Sequence, residues 1–279
     1  MSHPTRNIRL TIAYDGSNYV GWQIQPNGVT VQEVTQQALR ELTGEETKLI
    51  AAGRTDSGVH ALGQVANFQT ACTIPAEKFS SALQSRLPQD IIVRDSQEVP
   101  ERFHATYSAV RKCYRYLIHN REIGLPFLHN YCWRLGNELH IDRMRDAASS
   151  IVGTHDFRCF ETQFPNKATS VRTVEHLSIS TKPMWEFWTG FDFETQQPVF
   201  EDADEFLCIE ISADGFLYNM VRAITGTLVD VGRGRFEPRD VARMIEEGDR
   251  SLAGPTAPSQ GLYLVSVDYD LNNLRPKDH

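Results

Sequence analysis

Strand-like and helix-like segments alternate along this chain, and that alternation restricts it to folds that combine a sheet with packed helices. Residues 8–13 (IRLTIA) alternate apolar and polar side chains and predict a strand. Apolar residues recur at helical spacing from 30 to 42, where Thr30 is placed to cap the first turn. The next predicted elements are a strand at 63–68, a helix at 74–87 and a strand at 91–98.

The later part of the chain has a similar rhythm, although no sequence repeat links it to the first part. Its predicted elements are strands at 115–118, 173–179, 206–211 and 261–269, and helices at 141–152, 217–231 and 238–247. We therefore predict an α+β protein with two α/β halves, 1–105 and 106–279, that share a mixed, mainly antiparallel sheet with flanking helices. A central cleft between such halves is the usual place for an active site.

Charge, apolar runs and cysteine content bear on whether the chain binds nucleic acid, crosses a membrane or contains disulfides. The net charge of −8 is unusual for a chain that binds nucleic acid. No apolar run reaches the ~20 residues that cross a bilayer, and the first ten residues have no apolar signal region. Scattered cysteines without metal-ligand spacing predict buried free thiols in a reducing cytoplasm. They are Cys72, Cys113, Cys132, Cys159 and Cys208.

Residues 51–68 (AAGRTDSGVHALGQVANF) place Arg54 and Asp56 between two glycines, directly before a strand pattern. One interpretation is an ordinary turn in which Asp56 and Ser57 bond to local amides. The other is a loop that presents a carboxylate as a nucleophile, a base or a metal ligand. Metal binding is the least favoured role, because His60 is the only neighbouring residue of ligand type.

Ordered blocks along nearly the whole chain resemble those of the tRNA pseudouridine synthases of the TruA type. One is GRTDSGVHALGQVANF, at 53–68, whose GRTD alone would not be specific without the other blocks. The others are 14–32 (YDGSNYVGWQIQPNGVTVQ), 103–116 (FHATYSAVRKCYRY), 152–160 (VGTHDFRCF), 215–234 (GFLYNMVRAITGTLVDVGRG) and 261–269 (GLYLVSVDY). The resemblance implies the pseudouridine-synthase fold and an enzyme that isomerises uridine in the anticodon stem-loop of tRNA, at positions 38 to 40. It also implies a homodimer with no cofactor and no obligatory metal.

The resemblance assigns roles to individual residues. Asp56 falls on the family's nucleophile, and Tyr114 falls on the tyrosine that stacks on the target base and can act as a base. Arg222 falls on the arginine that pairs with the aspartate. The residues expected to bind substrate are Tyr114, Arg54, Arg111, Leu262 and Leu264, of which one leucine would form an apolar wall against the uracil.

The residues alone leave several of these roles open. Tyr114 and Tyr116 lie two apart on one predicted strand, and spacing does not say which belongs to the core. Arg222 inside an apolar helix could instead form a purely structural salt bridge. His155 and Asp156 are predicted to form a helix-turn element and not a catalytic dyad. Tyr14, Asp15 and Trp22 are predicted to pack the scaffold and its loops and to take no part in the chemistry.

The chain departs from the family pattern at two places. Thr106 stands where the family's central block has an arginine, so one phosphate contact is not carried over. Residues 181–205 hold seven acids and one base, which leaves a net charge of −2 for the rest of the chain. We predict that this acidic stretch is an inserted hairpin or loop that faces solvent away from RNA. The basic face should then gather Arg54, Arg111, Lys112 and Arg115.

Two other classes of function stay open at this point. A phosphohydrolase with a carboxylate nucleophile would need Mg²⁺ and further acids on nearby loops, and the sequence has no Asp-x-Asp. An RNA-binding module without activity is disfavoured by the joint presence of Asp56, Tyr114 and Arg222. The isomerisation of uridine that the resemblance implies is suited to a carboxylate nucleophile. Attack of the carboxylate at the sugar C1′ divides one difficult step into two.

Overall fold

The fold is described from a computed structural model that covers residues 4–162, 169–182, 191–192, 197–198, 206–272 and 274. The chain forms two compact units. The first unit is Met1–Tyr114 together with Tyr263–His279, and the second is Arg115–Leu262. The last strand groups with the first unit from Tyr263 onward. The predicted halves, 1–105 and 106–279, stay a prediction.

The described residues of the first unit form strands and helices, and the strand Ala109–Asn120 continues from this unit into the second. In chain order these elements are β1 (Arg6–Tyr14), α1 (Val31–Thr43), β2 (Ile50–Ala51), β3 (His60–Thr70), α2 (Phe79–Gln84), β4 (Ile91–Val99), β5 (Ala109–Asn120) and β12 (Leu262–Tyr269). The strand order within the unit is β4-β1-β3-β12-β5, with β2 paired to β3. The β1 pairings with β3 and β4 are antiparallel, and β12 is parallel to β3.

Alternation of side chains explains the core of the first unit. Ile8, Leu10 and Ile12 lie on one face of β1 and are fully buried. Thr30 caps α1 as predicted, because its hydroxyl accepts the backbone N–H of Glu33 at 3.2 Å. The first unit thus places β3, whose start follows the glycine-flanked loop, in the middle of its strands.

The second unit holds the remaining elements. They are β6 (Trp133–Leu135), α3 (Ile141–Ser149), β7 (Gly153–Asp156), β8 (Val171–Lys182), β9 (Phe191–Asp192), β10 (Gln197–Pro198), β11 (Phe206–Ala213), α4 (Met220–Gly232) and α5 (Pro238–Glu247). The order within the unit is β5-β11-β8-β7, with β6 parallel to the end of β5. Both β11 and β7 are antiparallel to β8, and α4 is buried along most of its length. Strands and helices in both units confirm the predicted α+β class.

Some local expectations were wrong. Asp156 and His155 lie on β7 and not in a helix-turn element. A hydrogen bond from Arg158 lowers the pKa of the Asp156 carboxyl. Cys72 and Cys113 are half-buried, whereas the other three cysteines are buried as predicted.

Most of the acidic stretch 181–205 lies outside the described residues, so its predicted position relative to solvent stays a prediction. Within it, β9 and β10 pair antiparallel, and the predicted hairpin or loop stays a prediction. Among the described residues, no helix has the length and apolarity that crossing a bilayer requires.

Candidate active site

The glycine-flanked loop, residues 52–59, connects β2 to β3 in the first unit and carries two of the predicted functional side chains. Asp56 is half-buried and Arg54 is exposed. The Val59 N–H donates to the Asp56 carbonyl at 3.1 Å, which closes a turn, and Gly58 has the positive φ of 76° that this turn requires. The loop is therefore a turn, and it presents a carboxylate at its surface.

Thr55 anchors this loop from both its side chain and its backbone. The Thr55 hydroxyl lies 2.7 Å from the Tyr14 hydroxyl in a buried hydrogen bond. The Thr55 carbonyl accepts the Trp22 N–H at 3.0 Å. Gly21 passes so close that a Cβ there would lie 2.6 Å from the Thr55 carbonyl oxygen. The residue before Asp56 is thus held on two sides.

The backbone that leads into the loop is held by three other side chains. Thr106 Oγ1 donates to the Ala51 carbonyl at 2.7 Å, Lys112 Nζ to the Ala52 carbonyl at 2.7 Å and Gln64 Nε2 to the Gly53 carbonyl at 2.9 Å. Thr106, which departs from the family pattern, therefore contacts the end of β2, directly before the loop. Lys112, which was expected on the basic face, uses its ammonium group to bond the Ala52 carbonyl of the loop. These contacts orient the segment before Asp56.

Tyr114 lies on β5, is 8% exposed and interacts electrostatically with Asp56. Burial is the main cause that raises the pKa of the Tyr114 phenol far above its usual value, and Tyr14 and Asp56 add to the shift. Tyr114 is therefore a neutral phenol at neutral pH, which disfavours a role as a phenolate base. Tyr116 is also buried, because side chains two apart on a strand share a face.

Two further predicted substrate-binding residues lie in the first unit. Leu264 is 1% exposed and sits on β12 opposite Ala61, five residues after Asp56. Arg111 is half-exposed and forms an ion pair with Asp268 at 2.7 Å. Exposed ion pairs contribute at most about 1 kcal/mol, so this pair leaves Arg111 able to exchange its partner for a phosphate.

Arg222 and Leu262 belong to the second unit. Arg222 lies in the first turn of α4 and is half-buried. Its Nε donates to the Ala257 carbonyl and its Nη1 to Asn219 Oδ1, both at 2.7 Å. Asn219 takes a left-handed conformation with φ of 59°, which ends the preceding segment and starts α4 three residues later than expected. Leu262 is buried at the start of β12. The predicted pairing of Arg222 with Asp56 stays a prediction.

The described residues contain no group of three or more His, Cys, Asp or Glu side chains arranged to hold a metal ion.

A model of the family described as tRNA pseudouridine synthase matches residues 10–108 and 147–270. The chain belongs to this family. Proteins named tRNA pseudouridine synthase A are 48% identical in Thermoanaerobacter sp. (strain X514) and 45% identical in Acetivibrio thermocellus, each over 95% of this chain and 100% of the relative. A protein named tRNA pseudouridine synthase A 2 from Clostridium tetani is 41% identical over 95% of this chain and 99% of its own length.

Membership of the tRNA pseudouridine synthase family confirms the resemblance drawn from the sequence blocks and the expected isomerase class. Within the first unit, Asp56 and Tyr114 interact electrostatically; their predicted roles stay predictions. Tyr14 and Gln64 were not assigned to the site from the sequence, and Tyr14 was predicted to be scaffold. No local signal identifies them, since Tyr14 and Thr55 are separated by 41 positions.

Proposed function

We propose that this protein converts uridine to pseudouridine in the anticodon stem-loop of tRNA, at positions 38 to 40. The observation that carries the proposal is the Asp56 carboxylate on an anchored turn, where it interacts electrostatically with the buried phenol of Tyr114. Family membership and relatives named tRNA pseudouridine synthase A support the same conclusion.

In the proposed reaction, the Asp56 carboxylate attacks C1′ of the target nucleotide. The C1′–N1 bond breaks and its electron pair stays on the uracil. After the uracil turns, C5 forms the new bond to C1′ and the carboxylate leaves with its own electron pair. C5 then loses its proton and N1 gains one, so the product is an isomer of the substrate and no redox partner is needed. The carboxylate must be ionised at the start of this sequence.

The other predicted residues would keep the Asp56 carboxylate charged and would hold the target nucleotide in place. Arg222 is proposed as the ion-pair partner that keeps the Asp56 carboxyl ionised, since a nearby cation favours the charged form. The Tyr114 ring would stack on the uracil and keep it from escaping after bond cleavage. One of Leu262 and Leu264 would form the opposite apolar wall. Arg54, exposed next to Asp56, would hold the flipped-out nucleotide.

Binding of tRNA requires local positive charge despite the net charge of −8. The proposed basic residues are Arg54, Arg111, Lys112 and Arg115. Arg115 is paired with Glu210 at 2.7 Å, as Arg111 is with Asp268, so these two arginines would exchange carboxylates for phosphates. The Arg111–Asp268 pair is exposed and weak enough for that exchange, whereas the Arg115–Glu210 pair is half-buried and exchanges at a higher cost. We further propose a homodimer in the cytoplasm.

The test is incubation of the purified protein with an unmodified tRNA transcript in the presence of EDTA, followed by mapping of pseudouridine. We expect pseudouridine at positions 38 to 40, and none in a transcript that has cytidine at those positions. Modification confined to another part of the tRNA would contradict the proposed position. Release of phosphate without pseudouridine, abolished by EDTA, would favour the metal-dependent phosphohydrolase instead.

A further inference from the structure

We propose that Tyr14 is a positioning residue for catalysis, whose hydroxyl holds Thr55 and thereby fixes the direction in which Asp56 is presented. The proposal rests on the proposed function of Asp56. Tyr14 would not touch the substrate, because it acts through the residue that precedes the nucleophile. The sequence assigned Tyr14 to the scaffold, and the structure gives it this more specific task.

The contact itself is buried at both ends. Tyr14 is 4% exposed and Thr55 is 7% exposed, and their hydroxyl oxygens lie 2.7 Å apart. Either hydroxyl can be the donor. A buried hydroxyl that loses its partner is costly, so each of these groups constrains the other to one position.

The clamp on Thr55 leaves little freedom for the next residue. The Thr55 side chain is held by Tyr14, and the Thr55 carbonyl is held by the Trp22 N–H. Gly21 closes the space beside that carbonyl. The Tyr14 and Trp22 rings lie 5.9 Å apart, so the two anchors pack on each other. With both its side chain and its carbonyl fixed, Thr55 sets the backbone geometry from which the Asp56 side chain projects.

Tyr14 acts by hydrogen bonding and not by charge. Burial is the main cause that raises the pKa of Tyr14 far above its usual value, so the hydroxyl keeps its proton at neutral pH. Tyr14 also interacts electrostatically with Tyr114, the second side chain with a proposed role in the reaction. A displaced Asp56 should slow the chemical step, because small errors in the position of a reacting group reduce the rate strongly.

The test is a double-mutant cycle with Tyr14→Phe and Thr55→Val, which remove one hydroxyl each and keep the shapes of the side chains. The measurements are the single-turnover rate of pseudouridine formation, the Kd for tRNA and the Tm. We expect each single variant to be about 10-fold slower, and the double variant also about 10-fold slower and not 100-fold. The Kd for tRNA should not change.

The matched control is Tyr269→Phe, which also removes a tyrosine hydroxyl in the first unit, one that donates to the Ala105 carbonyl at 2.7 Å. It should lower the Tm without slowing the reaction. Unchanged rates in Tyr14→Phe, or losses that multiply in the double variant, would overturn the inference. If Tyr14→Phe does not fold, an unchanged rate in Thr55→Val overturns it equally. A wild-type protein that forms no pseudouridine would instead contradict the proposed function, and this inference with it.

Discussion

Substitution of Gly21 by alanine tests how tightly the loop that carries Asp56 is held. Gly21 has a φ of +108°, a conformation that L residues rarely adopt. The added Cβ would lie 2.6 Å from the Thr55 carbonyl oxygen and 3.2 Å from the Asp56 carbonyl carbon. Both neighbours are backbone atoms, so no side chain can rotate away to relieve the contact.

The size of the effect follows from these distances. Ordinary van der Waals contact begins at 3.4 Å, so the loop and Gly21 must separate by about 0.8 Å. A displacement near 1 Å at a reacting group costs about 100-fold in rate. Backbone strain adds about 1–3 kcal/mol to the loss of stability. Weakening of the bond from Trp22 N–H to the Thr55 carbonyl adds about 1 kcal/mol.

Gly44 offers a matched control. It ends α1 with a φ of +73°, and a Cβ there would have no atom within 4 Å. Gly44→Ala therefore carries backbone strain of about 1–2 kcal/mol and no contact with the loop. The assays are thermal unfolding and the single-turnover rate of pseudouridine formation. We expect Gly21→Ala to lose about 100-fold in rate and Gly44→Ala to keep its rate while losing some stability.

Equal behaviour of the two alanine variants would refute the reasoning about Gly21. A large loss of stability in Gly21→Ala with a normal rate per folded molecule would refute the link between loop position and catalysis. Measuring tRNA binding alongside distinguishes a displaced Asp56 from a lost RNA contact.

Two further predictions concern stability. Thr30→Ala should lower the free energy of unfolding by about 1 kcal/mol, since it removes the cap of α1, and the reaction rate should not change; denaturant unfolding and rate measurement check both parts. Burial raises the pKa of Tyr14 and of Tyr114 above the unfolded value of about 10, so their contribution to stability is fully present below pH 10 and lost as the pH rises further. The Tm should fall above pH 10, and less steeply in Tyr14→Phe; a Tm that stays constant to higher pH would contradict this.

Apolar periodicity and helix-start residues predicted the helices and strands whose sequences contain those signals. The helix at 238–247 was predicted with its observed bounds, because Pro238 marks its first turn and apolar side chains repeat along it. The helix expected at 74–87 is shorter, with a single 3-10 turn at Ala76–Lys78 before α2. The strand β7 was missed because its sequence, GTHD, has no apolar alternation.

The site was predictable only in part. The glycines around Asp56 marked the loop, and the family blocks selected Tyr114 over Tyr116 for the site. The bond from Tyr14 to Thr55 joins positions 41 apart, and no periodicity carries that information. The start of α4 depends on the left-handed Asn219, which apolar spacing does not reveal.

The central claim is that the Asp56 carboxylate performs the chemistry, and Asp56→Asn tests it most directly. The substitution keeps the size of the side chain and removes its charge. The measurement is the single-turnover rate on an unmodified tRNA transcript, with the Kd for the same tRNA determined in parallel. We predict no detectable pseudouridine and an unchanged Kd. A variant that retains more than about one hundredth of the wild-type rate would contradict the assignment of Asp56 as the nucleophile.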